Sequence, residues 1–247
     1  MNQAGELVVL PVEGIPEVGE GMAIGRLIAE RAQLAAGDVV VVSQKVVSKA
    51  EGRLRPLSSV RPGAEARRLA ERLGKDPALV QLVLEESREM LRAERGVLIV
   101  ETRQGVICAN AGIDSSNIAA PDTVSLLPED PDASARRIRV EAGSGVAVVV
   151  SDSIGRPWRL GQTEVAIGCA GLRPIDDWRG REDSHGAPLA ATLIAIADEA
   201  AAAADLVRDK ANRVPAAVVR GLGRFVTAED GPGASALRRP REEDLFR

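Results

Sequence analysis

Three stretches of the chain are apolar at consecutive positions: DVVVVS from Asp38, GVAVVVSDS from Gly145 and PAAVVRG from Pro215. The first two, rich in β-branched residues, predict strands covered on both faces, and PAAVVRG predicts a last short strand. A shorter run, Leu7 to Leu10, predicts a buried strand that stops at Pro11. TEVAIGCAG predicts another, and GVLIVETRQGVICANAG predicts two strands around a turn at Thr102 to Gly105. Helical spacing of Ile24, Leu27 and Ile28 predicts a helix over about Met22 to Leu34. PGAEARRLAERLG predicts a second, stopped by Gly74.

Asp76 followed by Pro77 is a cap with proline at the first helical position. Leu79, Val80, Val83, Leu84 and Leu91 then line one helix face, which leaves Glu85, Glu86, Glu89 and Glu94 on a solvated one. Asp130-Pro131 opens a helix to about Ala142, and the stripe Leu189, Leu193, Ile196 and Ala200 predicts a long one from Pro188 to Val207. The segment 228–247 is rich in Gly, Pro and charge, as expected of a tail or of an arm over a partner. No repeat of 20–50 residues is present. Strands, hairpins and helices mixed in this way predict an α+β (mixed α/β) fold, with 1–247 as a single unit.

Composition narrows the chemistry. Lys and Arg number 32 against 36 Asp and Glu, so the net charge of −4 disfavours general nucleic-acid binding. Tyr is absent, and Phe225, Phe246, Trp158 and Trp178 are the whole aromatic content, too few for a base-stacking platform. Cys108 and Cys169 lie in apolar strands and read as packing residues. With one histidine, His185, in a turn, they make no zinc pattern. The N-terminus lacks the form of a signal peptide, and no run reaches the ~20 apolar residues of a membrane span. The expectation is a reduced, cytoplasmic protein.

Candidate chemistry gathers where apolar strands run into short polar loops. One such loop is Ser43-Gln44-Lys45, continuing through Lys49 to Arg53. The second is Asn110 to Asn117 with Asp114, and the third is Ser151-Asp152-Ser153. Asp114 and Asp152, beside hydroxyls, suit Mg²⁺ or Mn²⁺, which take hard oxygen ligands. Lys45, Lys49 and Arg53 suit a phosphate chain. The same residue types also cap helices and close turns. Walker, dinucleotide and nucleophile-elbow patterns are missing. SIGRPWRLGQTE and DDWRGREDSHG read as polar loops whose arginines either bind anions or pair internally with aspartates.

Taken in order, LPVEGIPEV, VVSQKVVSKAEGR, VQLVLEES, CANAGIDSSN, VVVSDSIGRPWRLGQTEVAIGCAG, DWRGREDSHGAPL and PAAVVRGL resemble the F420 γ-glutamyl ligase family over about Leu10 to Leu222. The resemblance implies that family's fold, with two interleaved lobes, and an intertwined homodimer. It implies GTP as co-substrate, Mg²⁺ or Mn²⁺ with K⁺ assisting, and transfer of L-glutamate to coenzyme F420-0 through an acyl phosphate. F420-1 forms first and then γ-linked longer forms, with release of GDP and phosphate. Asp114, Asp152 and Lys49 correspond to catalytic positions, and Asp114, Asp152 and Ser153 to metal ligands. Ile15, Pro16, Glu17, Val18, Ser43, Gln44, Lys49 and Asn117 correspond to the nucleotide site. So does the loop Arg208, Asp209, Lys210, Ala211, Asn212, Arg213 and Val214, where Asp209 or Asn212 could add a metal ligand. Arg156, Arg159 and Arg181 are assigned to the anionic substrates. The C-terminal reductase domain fused to some relatives is not expected. The alternatives are a related metal- and nucleotide-dependent amide ligase with another acceptor carboxylate, and a non-catalytic nucleotide-binding protein.

Overall fold

The computed structural model describes residues 5–143, 145–208 and 212–246. In chain order the elements are β1 (Val8–Pro11), α1 (Ile24–Ala29), β2 (Val39–Ser43), α2 (Gln44–Ala50), β3 (Leu54–Pro56), α3 (Ala64–Leu73), α4 (Pro77–Glu85), β4 (Ser87–Glu94), β5 (Val97–Thr102), β6 (Ile107–Ala109) and β7 (Thr123–Ser125). There follow α5 (Pro131–Ala142), β8 (Ala147–Arg156), β9 (Arg159–Ala170), β10 (Asp176–Asp177), β11 (Leu193–Ile194), α6 (Ile196–Asp205) and β12 (Ala216–Arg220). The arrangement is α+β, as the pattern predicts.

The three doubly apolar runs are neighbours in a central sheet of order β1-β12-β2-β8-β9. β2 and β8 pair in parallel, and the other contacts are antiparallel. Val40, Val42, Val148 and Val150 face Ile24 and Ile28 of α1 and Ala135 and Ile138 of α5. Val39, Val41, Ala147 and Val149 face Ala197, Ala200, Ala201 and Ala204 of α6, with Phe225. Alternation along each strand supplies both layers, so a polar residue in mid-strand would be buried whichever way it pointed. A second cluster packs α3 and α4, through Leu69, Leu73, Val80 and Val83, on Leu98 and Val100 of the sheet β4-β5-β6.

Several elements differ from the sequence expectation. The helix at Met22–Leu34 is confined to α1, and the chain after it is held instead by Asp38, whose carboxylate accepts the Ala35 N–H. The helix that begins at Pro77 ends at Glu85. Beyond it the side chains alternate between half-buried (Ser87, Glu89, Leu91, Ala93) and exposed, a period of two that makes a strand. Glu86 is not solvated: its carboxylate is enclosed beside the buried Arg53, at 2.6 Å. Helix α6 starts only at Ile196. Leu193 and Ile194, read as helical, pair with Asp176 and Asp177 as β11, and Leu193 is half exposed.

SIGRPWRLGQTE is no loop. β8 and β9 run through it as one long hairpin that turns at Pro157-Trp158, with Trp158 at φ 58°. The C-terminal arm lies on its own chain. Asp230 pairs with Arg139 of α5, the Ala234 N–H donates to Asp132, Arg241 pairs with Glu89, and Phe246 packs edge-on to Trp158. Among the described residues no helix is long and apolar enough to cross a membrane.

Helices α1 and α5 approach so closely that a Cβ on Gly25 would lie 2.2 Å from the Ile138 carbonyl oxygen. Gly25→Ala is expected to cost about 3 kcal/mol by over-packing and to lower Tm by roughly 6–12 °C. Gly19→Ala, whose methyl would meet only Met22 Sδ at 3.9 Å, should leave the thermal transition nearly unmoved.

Candidate active site

The parallel pairing of β2 with β8 sets Ser43 directly beside Ser151. β2 ends at that level, and the apolar runs of both strands give way there to polar residues. β2 passes without a loop into α2, so Gln44, Lys45, Ser48 and Lys49 follow at once. Lys45 and Lys49, four residues apart, share one face of that helix. β8 continues through Asp152 and Ser153, and its partner strand brings Glu164 opposite Ser153. The crevice beyond the carboxyl ends of two parallel strands is the common location of ligands in α/β sheets.

Two loops complete the walls of a cavity of about 1000 Å³. One follows β1 and carries Ile15, Pro16, Glu17 and Val18. The other, between β6 and β7, carries Asn110 to Ala119. Its entry is strained: Asn110, Ala111 and Gly112 all have positive φ, which costs an alanine about 1 kcal/mol. Gly112 is fixed there, because an added Cβ would sit 2.8 Å from the Leu127 side chain. Asp114 is then locked to β7 by two backbone hydrogen bonds with Ser125, of 2.8 and 3.2 Å.

Two ammonium groups cross the cavity. Lys45 Nζ lies 2.7 Å from Asp114 and donates to Ser116 Oγ. Lys49 Nζ is 8% exposed, pairs with the largely exposed Glu17, and donates at 2.9 Å to the Asn117 carbonyl. Lys49 thereby ties the two loops together. Burial pushes the Asp114 carboxyl up, but the Lys45 ammonium and the Ser116 N–H outweigh it and hold Asp114 below its ordinary value.

Asp152 is in the opposite state. Burial first, then the negative charges of Glu164 and Asp114, push its carboxyl up to about 7, against the Ser153 N–H and the Gln44 side chain. Carboxylates crowded in this way call for a cation. Asp114, Asp152 and the Ser153 hydroxyl are hard oxygen donors of the kind Mg²⁺ and Mn²⁺ take, so these residues fit such an ion. Among the described residues no group of three or more His, Cys, Asp or Glu side chains is arranged to hold one. Hydroxyl, water or ligand oxygens would therefore complete the shell.

Of the positions singled out in the sequence, the cavity gathers Ile15, Pro16, Glu17, Val18, Ser43, Gln44, Lys49, Asp114, Asn117, Asp152, Ser153, Arg208, Arg213 and Val214. Asn212 is not in its wall, and Asp209, Lys210 and Ala211 lie outside the described residues. The three arginines assigned to anionic substrates are not brought there. Arg156 turns back on the Leu160 and Gly161 carbonyls at the hairpin end, and Arg159 is exposed beside it. Arg181 pairs with Asp176 and stacks over Trp178. Arg53 also points elsewhere, donating to the Leu127 carbonyl and pairing with Glu86 and Glu129.

Sequence reading did not single out Glu164. It stands in a strand, and its pairing with Ser153 becomes visible only once the hairpin turn is placed at Pro157-Trp158. Cys108 lines the cavity too, but burial and the Asp152 charge push its thiol up to about 12, which makes it a poor nucleophile.

The Asp152 shift has a definite sign in stability. The unfolded chain ionises this group near 3.8 and the folded one near 7, so the unfolded state binds fewer protons between those values. Stability contributed by this residue therefore falls as pH rises from about 4 to 7. In chelator-treated protein, Asp152→Asn should raise Tm at pH 8, with the gain shrinking toward pH 4. Equal Tm values for variant and wild type at pH 8 would contradict the assignment.

The F420-0:Gamma-glutamyl ligase family model matches residues 14–221. The chain is 44% identical to the coenzyme F420:L-glutamate ligase of Methanothermobacter thermautotrophicus, covering 97% of this chain and 98% of that one. It is 42% identical to the enzyme of the same name from Methanopyrus kandleri, over 98% and 100% of the two chains. With that of Archaeoglobus fulgidus the identity is 42%, over 97% and 96%. With strand ends, lysines and paired aspartates arranged as above, and with relatives matched over nearly their full length, the chain belongs to the F420-0:gamma-glutamyl ligase family.

Proposed function

We propose that the protein is a GTP-dependent ligase that joins L-glutamate to coenzyme F420-0, giving F420-1 and then γ-linked longer forms. The relatives' shared name supports the substrates. The observation that carries the chemistry is the convergence of Lys45, Lys49, Asp114 and Asp152 in one cavity where β2 ends and the apolar run of β8 gives way.

A carboxylate does not condense with an amine near neutral pH, because oxide is too poor a leaving group. Breaking the bond between the γ-phosphorus and its bridging oxygen releases GDP and moves the phosphoryl group to the F420-0 carboxylate. The resulting acyl phosphate has a good leaving group. The glutamate amine attacks its carbonyl carbon, a C–N bond forms, phosphate departs and one proton is released. The moving group is highly anionic throughout, so catalysis consists mainly of positioning and charge neutralisation. Mg²⁺ or Mn²⁺, with K⁺ assisting, would polarise the phosphoryl oxygens. Asp114, Asp152 and Ser153 are the residues that would hold the divalent ion.

Lys49 would exchange Glu17 for a phosphate oxygen, and Lys45 would exchange Asp114 in the same way. Both exchanges replace one anion by another on an ammonium already in the cavity, so the loops need shift little. Ile15 to Val18, Ser43, Gln44, Asn117, Arg208, Arg213 and Val214 would surround the nucleotide. The reading includes a homodimer, supported by Trp158 and Leu160, which are 81% and 99% exposed at the hairpin end. A solution mass of twice the 26.0 kDa chain tests this.

Incubation with GTP, Mn²⁺, glutamate and F420-0, followed by mass spectrometry, should show a product that has gained glutamyl units. GTP turnover with another carboxylate acceptor and no F420 product would refute the substrate assignment. Lys49→Met should reduce kcat/KM by roughly 10²–10³-fold, the size expected for loss of one preorganised donor, while the protein stays folded by circular dichroism. Near-normal kcat/KM would remove Lys49 from the mechanism.

A further inference from the structure

Glu164 is a carboxylate in mid-strand, 6% exposed, in the cavity wall. Enclosing an ionised carboxylate costs several kcal/mol unless every lone pair is matched. Here three hydrogen bonds match three of the four lone-pair sites, one on Oε1 and two on Oε2. Oε1 accepts from Ser153 Oγ. Oε2 accepts from Ser151 Oγ at 2.5 Å and from Arg208 Nη2 at 3.0 Å. Arg208 Nη2 also donates to Ser151 Oγ, at 3.1 Å, which closes a ring of three side chains.

These bonds fix what their partners present to the cavity. A serine hydroxyl has one proton, and that of Ser153 is committed to Glu164. The remaining lone pairs therefore point away from Glu164 and are available to a cation. Without Glu164 the hydroxyl would rotate freely and could turn its proton toward the same space. Arg208 is 7% exposed and lies in the cavity wall, yet its Nε and Nη1 are buried and find no hydrogen-bond acceptor among the described residues. Buried guanidinium N–H groups without acceptors are rare and mark a place that an anion completes. Glu164 holds that guanidinium by its third nitrogen and so sets its plane.

We propose that Glu164 is a positioning residue of this cavity: it orients the Ser153 hydroxyl toward a cation and the Arg208 guanidinium toward an anion, and touches neither ligand. This rests on the functional reading above, which supplies the cation and the anion. It adds a residue that couples the two. Glu164 acts by positioning rather than ligation because three of its four lone-pair sites are taken by Ser153, Ser151 and Arg208, and the binding cycle below separates the two roles. It also links the β8–β9 hairpin to the chain following α6, so metal and nucleotide affinities should respond together to its loss.

The test is a double-mutant cycle on binding rather than turnover. Free Mn²⁺ is followed by electron paramagnetic resonance, and GDP by calorimetry, for wild type, Glu164→Gln, Ser153→Ala and the double variant. Glu164→Gln should weaken Mn²⁺ binding ~10–100-fold, as loss of a hydrogen-bonding partner behind a ligand does, and should weaken GDP as well. In the Ser153→Ala background the same substitution should change Mn²⁺ affinity less than about twofold, since the group it orients is gone. An undiminished loss in that background would make Glu164 a direct ligand and overturn the proposal, as would wild-type affinities in Glu164→Gln. Should Glu164→Gln fail to fold, Glu164→Asp enters the same cycle, with a smaller loss that again vanishes beside Ser153→Ala. A wild type that takes up no Mn²⁺ with GDP would refute the functional reading, a result distinct from either of these.

Discussion

The parallel register of β2 against β8 is the constraint on which the rest of the molecule depends. It puts Ser43 level with Ser151 and ends both apolar runs at one height. Everything polar that follows, the α2 lysines on one side and Asp152 and Ser153 on the other, then starts from a rigid base. A slip of β8 by one residue against β2 would turn Val148 and Val150 to the other layer while Val40 and Val42 stayed, and would exchange the faces of Asp152 and Ser153. The two hydrophobic layers forbid that slip, so packing of the core and placement of the site are one problem with one solution.

The site is charged against itself. Asp152 is crowded by burial and by Glu164 and Asp114, while Asp114 is relieved by Lys45 and Lys49 is matched by Glu17. Each ammonium in the cavity is matched by a carboxylate from a cavity wall. A polyphosphate with its cation brings the complementary charges, so binding exchanges partners without burying new unpaired charge. That economy of rearrangement fits a strained but well-fixed loop such as Asn110 to Gly112, which presents Asp114 without freedom to drift.

Much of this was legible in the residues. The doubly apolar runs could only be central strands, and a carboxylate at the end of such a run, as at Asp152, stands out because nothing in packing needs it there. Asp76-Pro77 and Asp130-Pro131 marked helix starts correctly, since the capping geometry is local: the Asp76 side chain accepts the Ala78 and Leu79 N–H groups. Long-range effects were not legible. The stripe from Leu189 to Ala200 has helical spacing, yet Leu193 and Ile194 are taken by a strand partner sixteen or more residues earlier. The burial of Glu86 depends on Arg53, far away in sequence. Glu164 escaped notice because a lone charge in an apolar strand reads as an exposed position until its cross-strand serine is known. Arg156 and Arg159 were drawn to the substrates by their loop-like surroundings, and the hairpin carries them away from the cavity.

In the proposed reaction Asp114 and Asp152, distant in the chain, serve one cation bound with a nucleotide. Anomalous diffraction from crystals grown with Mn²⁺ and GDP tests it most directly. A manganese peak bonded to both carboxylates is expected, with Lys45 withdrawn from Asp114 toward the phosphates. Manganese bound elsewhere, with Lys45 still on Asp114 and Asp152 without a metal contact, would contradict it.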